Sequence, residues 1–170
     1  MNAAILNATP KRIVMSGPSG FLGRRVVDEL MRLHSLRREH GLEPGTLILL
    51  SGSPGRLMQR LAPRYSSSEQ RGKIPNLRAS RVDYYTQHDV EEWINHLGSI
   101  GAGGQDSVFL NLAAVAGPMP DKKDAMYAIN YKACVAAAAA CQALSFSHFI
   151  QSSTQATVTE RAGQVMLATS

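Results

Sequence analysis

Three glycines stand at a spacing of three in the stretch RIVMSGPSGFLGRRVV, residues 12–27. A short apolar run precedes them, and an apolar segment with the period of a helix follows. Such a turn could bind phosphate. Gly17 would permit the tight turn, Gly20 would let the backbone approach the phosphate oxygens, and Gly23 would let the helix pack on the strand. Backbone N–H groups and the positive end of the helix dipole would attract the anion. The alternative is that the glycines only form a tight turn.

The elements that must position this turn alternate along the chain. Apolar runs predict five strands, at residues 12–16, 46–51, 77–82, 107–114 and 148–153. Helical spacing or composition predicts helices from residue 21, over 89–97 and over about 125–144, with one helical turn at 57–61 in an otherwise loop-like stretch. This order predicts parallel strands with right-handed crossovers, a doubly wound α/β sheet of the Rossmann type.

Composition narrows the class of protein further. The chain has 170 residues, of which 44% are hydrophobic and 18% charged, as expected of one globular domain with a sizeable core. Its formal net charge is +5, but the basic residues are dispersed, so a solvated surface is favoured over nucleic-acid binding.

Several functional classes have little support in the sequence. It shows no run long enough to span a membrane and no secretory signal pattern. Cys134 and Cys141 lie in one predicted helix and are expected to be buried in a reducing compartment, with no metal site. We therefore expect a cytoplasmic protein.

The glycine spacing is Gly-x-x-Gly-x-x-Gly, and SGPSGFLG resembles the nucleotide-binding turn of the extended short-chain dehydrogenase/reductase family, the NAD(P)-dependent epimerases and dehydratases. Four further stretches resemble family motifs in the family's order. The match covers residues 10–157 of a single domain and leaves 158–170 as a tail. The resemblance implies a nicotinamide dinucleotide as cofactor, bound at the turn by Gly17, Ser19, Gly20, Phe21, Leu22 and Gly23.

The later motifs imply further site residues. VDYYTQHDVEEW resembles the segment whose Asp reaches the adenine, which maps to Asp83 with Tyr84 beside it. VFLNLAAVAG resembles the family's His-x-Ala-Ala motif, with Asn111 at the His position; it implies cofactor contacts by Leu112, Ala113 and Ala114. INYKACVAAAAACQA maps the family's supporting Asn to Asn130, and FIQSST maps the catalytic hydroxyl to Thr154.

Each of these assignments has a structural alternative. Asp83 could cap a loop, the two alanines could serve packing alone, and Asn130 could cap backbone groups. Thr154 could be an ordinary hydroxyl at the end of a strand.

The end of the second strand bears on the choice of nicotinamide cofactor. An NAD site commonly has an acidic residue there, which accepts hydrogen bonds from the ribose. This chain has Ser51, Ser53 and Arg56 instead, groups that would bind a 2′-phosphate. Arg24 could contribute or could be an ordinary exposed helix residue. The pattern favours NADP, with NAD the alternative.

The family's catalytic Tyr-x-x-x-Lys pair is missing. No Tyr in the sequence has Lys four residues later, and neither residue type occurs after Thr154. The first interpretation is the N-terminal part of a longer enzyme that transfers hydride at a secondary alcohol or carbonyl of a small-molecule substrate. The alternative is a non-catalytic NADP-binding sensor or interaction module. Apolar sheet surface left uncovered on one face would favour a homodimer.

Overall fold

A five-stranded parallel sheet forms the centre of the computed structural model. The structure describes residues 10–65, 76–84, 86–115, 123–152, 159–161 and 164–166. The five strands of the sheet are β1 Arg12–Ser16, β2 Thr46–Ser51, β3 Leu77–Arg81, β4 Ser107–Asn111 and β5 His148–Gln151. Their order across the sheet is β3-β2-β1-β4-β5, which reverses direction at β1, so the carboxyl ends of β1 and β4 form the topological switch point where such sheets bind ligands.

The helices follow the predicted alternation. They are α1 Phe21–Glu39, α2 Pro54–Tyr65, α3 Val90–Ser99, α4 Lys123–Tyr127 and α5 Cys134–Ala143, with a π-helical segment at Ala128–Ala133 between α4 and α5. Two further short strands, β6 Thr159–Arg161 and β7 Gln164–Met166, pair antiparallel with each other. Among the described helices, none is both long and apolar enough to cross a membrane.

The central strands β1, β2 and β4 are buried on both faces, with alternate residues pointing to opposite sides. On one side, Met15 and Leu49 belong to a core with Val27 of α1 and Leu57 of α2. The opposite core contains strand, α3 and α5 residues, among them Val14, Leu50, Phe109, Trp93 and Ala140. This double burial explains the continuous apolar run of β2. Ala136, Ala137 and Ala140 of α5 are buried in this second core.

The residues at the starts of α3 and α2 show how the local sequence sets where a helix begins. Asp89 caps α3, since its side chain accepts hydrogen bonds from the amides of Glu91 and Glu92. The prediction for α2 was too short: a twelve-residue helix replaces the single turn expected at 57–61. Pro54 fits the first position of this helix, and its Leu57 and Leu61 are buried against the sheet.

Candidate dinucleotide-binding site

The glycine turn connects β1 to α1 at the switch point, and its three glycines meet different requirements. Gly17 has a φ of +67°, and a Cβ there would lie 2.6 Å from the carbonyl carbon of Leu112. A Cβ on Gly23 would overlap the carbonyl oxygen of Gly17. At Gly20, the nearest such neighbour would be the Gly17 oxygen at 3.4 Å, an ordinary contact. Gly17 and Gly23 are therefore required by the protein itself, whereas Gly20 leaves space toward the cleft.

The start of α1 presents backbone amides without a protein cap. The Gly20 amide donates to the Gly17 carbonyl oxygen at 3.2 Å, which closes the turn. Gly20 is the N-cap residue, so no side chain caps the helix, and the first turn contains no acidic residue. The amides of Phe21 and Leu22 have no intrahelical acceptor at this position. Together with the helix dipole, they form a place for an anion.

A cavity of about 280 Å³ opens beside the turn. Eight of the predicted cofactor-binding residues line it: Gly17, Ser19, Gly20, Ser51, Tyr84, Leu112, Ala113 and Ala114. The sequence interpretation missed five other lining residues, which are Pro18, Leu50, Gly52, Val115 and Ile129. Most of these lie at or just after a strand end, so the rule that parallel sheets bind ligands at their carboxyl edge could have found them.

The remaining predicted residues lie outside the cavity lining, and they are Phe21, Leu22, Gly23, Arg56, Asp83 and Asn130. Thr154, the predicted catalytic hydroxyl, lies outside the described residues.

Ser16, which the sequence interpretation did not single out, connects the two strand ends beneath the cleft. Its buried hydroxyl donates a hydrogen bond to Asn111 Oδ1. It also accepts hydrogen bonds from the amides of Leu112 and Ala113, each at 3.0 Å. The Asn111 Nδ2 group in turn donates to Gln151 Oε1 at 2.6 Å. The ends of β1, β4 and β5 are thus joined through side chains, which fixes the backbone that lines the cavity.

Asn130 acts on the cleft through the backbone of Val115. Its Oδ1 accepts from the Val115 amide at 2.8 Å, and its Nδ2 donates to the Val115 carbonyl oxygen at 3.0 Å. Asn130 lies in the π-helical segment, and such segments occur frequently at functional sites. Since Val115 lines the cavity, Asn130 holds one wall in place.

Tyr84 contributes an aromatic ring to the lining. The ring packs against Trp93, with 5.8 Å between the ring centroids. Its hydroxyl is buried and has no hydrogen-bond partner among the described residues. Burial raises the pKa of this hydroxyl far above its usual value, and the nearby Ser16 hydroxyl opposes only part of that effect. The phenol is therefore a neutral donor at physiological pH.

The turn from β2 into α2 carries Arg56 and no acidic residue. Ser51 Oγ accepts a hydrogen bond from the Ser53 amide at 3.2 Å, which shapes the turn into α2. Arg56 is exposed in the first turn of α2, and that turn contains no acidic residue. Arg24 is exposed one residue after Gly23. Asp83 is also exposed, and its carbonyl oxygen accepts hydrogen bonds from two later amides.

Comparisons with known proteins bear on the fold. No known sequence family and no curated protein matches the chain. Solved structures do match. The epimerase Mth375 from Methanothermobacter thermautotrophicus aligns with a TM-score of 0.61 at 13% identity, over 93% of this chain and 39% of the epimerase.

Two other matches have similar scores. A double mutant of a Serratia marcescens short-chain dehydrogenase/reductase aligns with a TM-score of 0.60 at 14% identity, over 88% of this chain and 57% of that protein. An NADPH-bound carbonyl reductase from chicken fatty liver aligns with a TM-score of 0.54 at 15% identity, over 81% of this chain and 51% of the reductase. The chain thus spans less than two thirds of each of these proteins. The likeness confirms the predicted fold class, a Rossmann-type parallel sheet.

Proposed function

We propose that this chain is the cofactor-binding part of an NAD(P)-dependent oxidoreductase, epimerase or dehydratase. The observation that carries the proposal is the start of α1, where no side chain caps the backbone amides. Gly20 lies there beside a cavity at the switch point of the sheet, and its missing side chain leaves the amides accessible from that cavity. Backbone amides that lack a protein acceptor, next to a glycine whose missing side chain leaves room for a ligand, suit a diphosphate.

The residues around the cavity fit the rest of a nicotinamide dinucleotide. The amides of Phe21 and Leu22 would hold the diphosphate. Ser51, Asp83 and Tyr84 would surround the adenosine half, on the β2 and β3 side of the turn. Ala113 and Ala114 would lie beneath a ribose, where their small side chains leave room, and Leu112 would line the same cavity beside them. When bound, the nicotinamide ring would donate or accept a hydride.

We further propose a preference for NADP over NAD. The supporting observation is the edge between β2 and α2, where Ser51 and Ser53 are followed by the exposed Arg56. A carboxylate at this edge would repel a 2′-phosphate, whereas hydroxyls and a guanidinium would bind it.

Hydride transfer also needs a group that moves a proton to or from the substrate oxygen. We assign the orientation of that oxygen to Thr154, by its place after β5. The sequence contains no Tyr with Lys four residues later, so we expect this chain alone to bind cofactor without turnover.

The same missing pair favours a second candidate, a dinucleotide-binding sensor or interaction module without catalysis. The two candidates differ in one measurement. A longer protein that contains this chain and a Tyr-x-x-x-Lys pair would transfer hydride, whereas a sensor would bind the dinucleotide and remain inactive.

Titration of the folded chain with NADPH and with NADH, followed by nicotinamide fluorescence, tests the shared claim of both candidates. We expect saturable binding of NADPH and weaker binding of NADH. A cooperatively melting sample that binds neither would refute the proposal. Equal binding of the two would refute only the preference for NADP.

A further inference from the structure

Tyr84 lines the cleft, and its buried hydroxyl has no hydrogen-bond acceptor among the described residues. It lies near Ser16, and its ring lines the same cavity as Gly17 and Gly20. A buried donor without a partner costs free energy, so native proteins rarely retain one without a function or an external partner.

The nearest candidate partner inside the protein is already saturated. A serine hydroxyl has one proton to donate and two lone pairs to accept with. Ser16 donates its proton to Asn111 Oδ1 and accepts from the amides of Leu112 and Ala113. It therefore has no lone pair left for the Tyr84 hydroxyl. Among the described residues, nothing else accepts from that hydroxyl.

We infer that the Tyr84 hydroxyl donates a hydrogen bond to the adenosine diphosphate half of the bound dinucleotide. This inference rests on the proposed function and assigns one contact within it. Tyr84 follows β3, which neighbours β2 on the adenosine side of the glycine turn, and its hydroxyl lies near the carboxyl end of β1, where the diphosphate would bind. The ligand offers phosphate and ribose oxygens as acceptors. Tyr84 is thus a binding residue whose hydroxyl favours a ligand with oxygen acceptors at this place.

The substitution Tyr84→Phe separates this role from packing, because it keeps the ring against Trp93 and removes only the hydroxyl. Calorimetric titration of wild type and variant with NADPH and with ADP would measure affinity, and thermal melting would measure stability. We expect the variant to bind both ligands about tenfold more weakly, the loss of one hydrogen bond to a charged or polar acceptor. We expect its melting temperature to be unchanged or higher, because an unpartnered buried hydroxyl is lost.

Tyr127→Phe is the matched control, since Tyr127 is 56% exposed on the surface and does not line the cleft. It should leave both affinities unchanged. Unaltered affinity in Tyr84→Phe, with wild type binding normally, would overturn the inference and leave the proposed function standing. A lower melting temperature would also overturn it, because the hydroxyl would then have a partner within the protein. Failure of wild type to bind either ligand would overturn both.

Discussion

Ser16, the last residue of β1, is hydrogen-bonded through its hydroxyl to the side chain of Asn111, the last residue of β4. The two residues are register partners in the parallel sheet although they lie 95 positions apart in the chain. The amide of Asn111 can accept from Ser16 and donate to Gln151 at the same time. The floor of the cleft is therefore held by a continuous side-chain connection across three strands.

Removing the Ser16 hydroxyl tests this connection. In Ser16→Ala, the amides of Leu112 and Ala113 and the Oδ1 atom of Asn111 would lose a buried partner. We expect the free energy of unfolding, measured by urea denaturation, to fall by about 1–3 kcal/mol. Ser35→Ala is the matched control, because the Ser35 hydroxyl bonds only to the carbonyl of Met31 on the exposed side of α1. A Ser16 variant as stable as the control would show that the connection contributes nothing.

A side chain at Gly20 should block the ligand and leave the fold intact. Its Cβ would meet the protein no closer than 3.4 Å, so Gly20→Val is expected to melt near the wild-type temperature. The added methyl groups would occupy space beside the uncapped amides. We expect the affinity for NADPH to fall by at least about tenfold, since even one lost hydrogen bond to a charged group has that effect.

Gly98→Val provides the comparison for that experiment. Gly98 lies in α3, and a Cβ there meets nothing within 4 Å. This variant should bind NADPH as wild type does. If Gly20→Val also bound normally while folded, the diphosphate would not approach this turn.

Arg56→Ala tests the proposed preference for NADP. We expect this substitution to lower the affinity for NADPH several-fold and to leave the affinity for NADH nearly unchanged, because only NADPH carries the 2′-phosphate that a guanidinium would bind. Fluorescence titration of both cofactors at low and moderate salt would measure the two affinities. Arg38→Ala, at an exposed position near the end of α1, controls for net charge. Equal losses for the two cofactors would place Arg56 away from the phosphate.

His34 predicts a pH dependence of stability. It is buried in α1, and neither ring nitrogen has a hydrogen-bond partner among the described residues. Burial lowers its pKa below the usual value, and the charges of Arg37 and Arg38 lower it further. The unfolded chain therefore binds a proton more readily than the folded one, so stability is full above about pH 6.5 and is lost as the pH falls below that value.

Urea denaturation at pH 7.5 and pH 5.5 would measure this loss. The difference between the free energies of unfolding at pH 7.5 and pH 5.5 should be smaller in His34→Leu than in wild type. It should be unchanged in His40→Leu, since His40 is exposed. Part of the loss should remain in His34→Leu, because burial also lowers the pKa of His96. An unchanged difference in His34→Leu would assign the pH dependence to other groups.

The sequence by itself determined the five strands of the sheet and the order in which strands and helices alternate. Apolar runs such as TLILLS form strands, because a strand buried on both faces must be apolar throughout. Asp89 caps α3 through local hydrogen bonds, and Gly23 is required by the carbonyl oxygen of Gly17, six residues earlier in the chain. These features depend on neighbours in the chain, which a sequence displays directly.

Only the tertiary structure decided how the cleft is held together. The partners of Ser16 lie at the end of β4 and just after it, the partner of Asn130 is the backbone of Val115, and the Tyr84 hydroxyl has no partner among the described residues. Each relationship depends on the packing of elements that are separate in the chain. Hydrophobic periodicity encodes which face of an element is buried; it does not encode which side chain of a neighbouring element lies opposite.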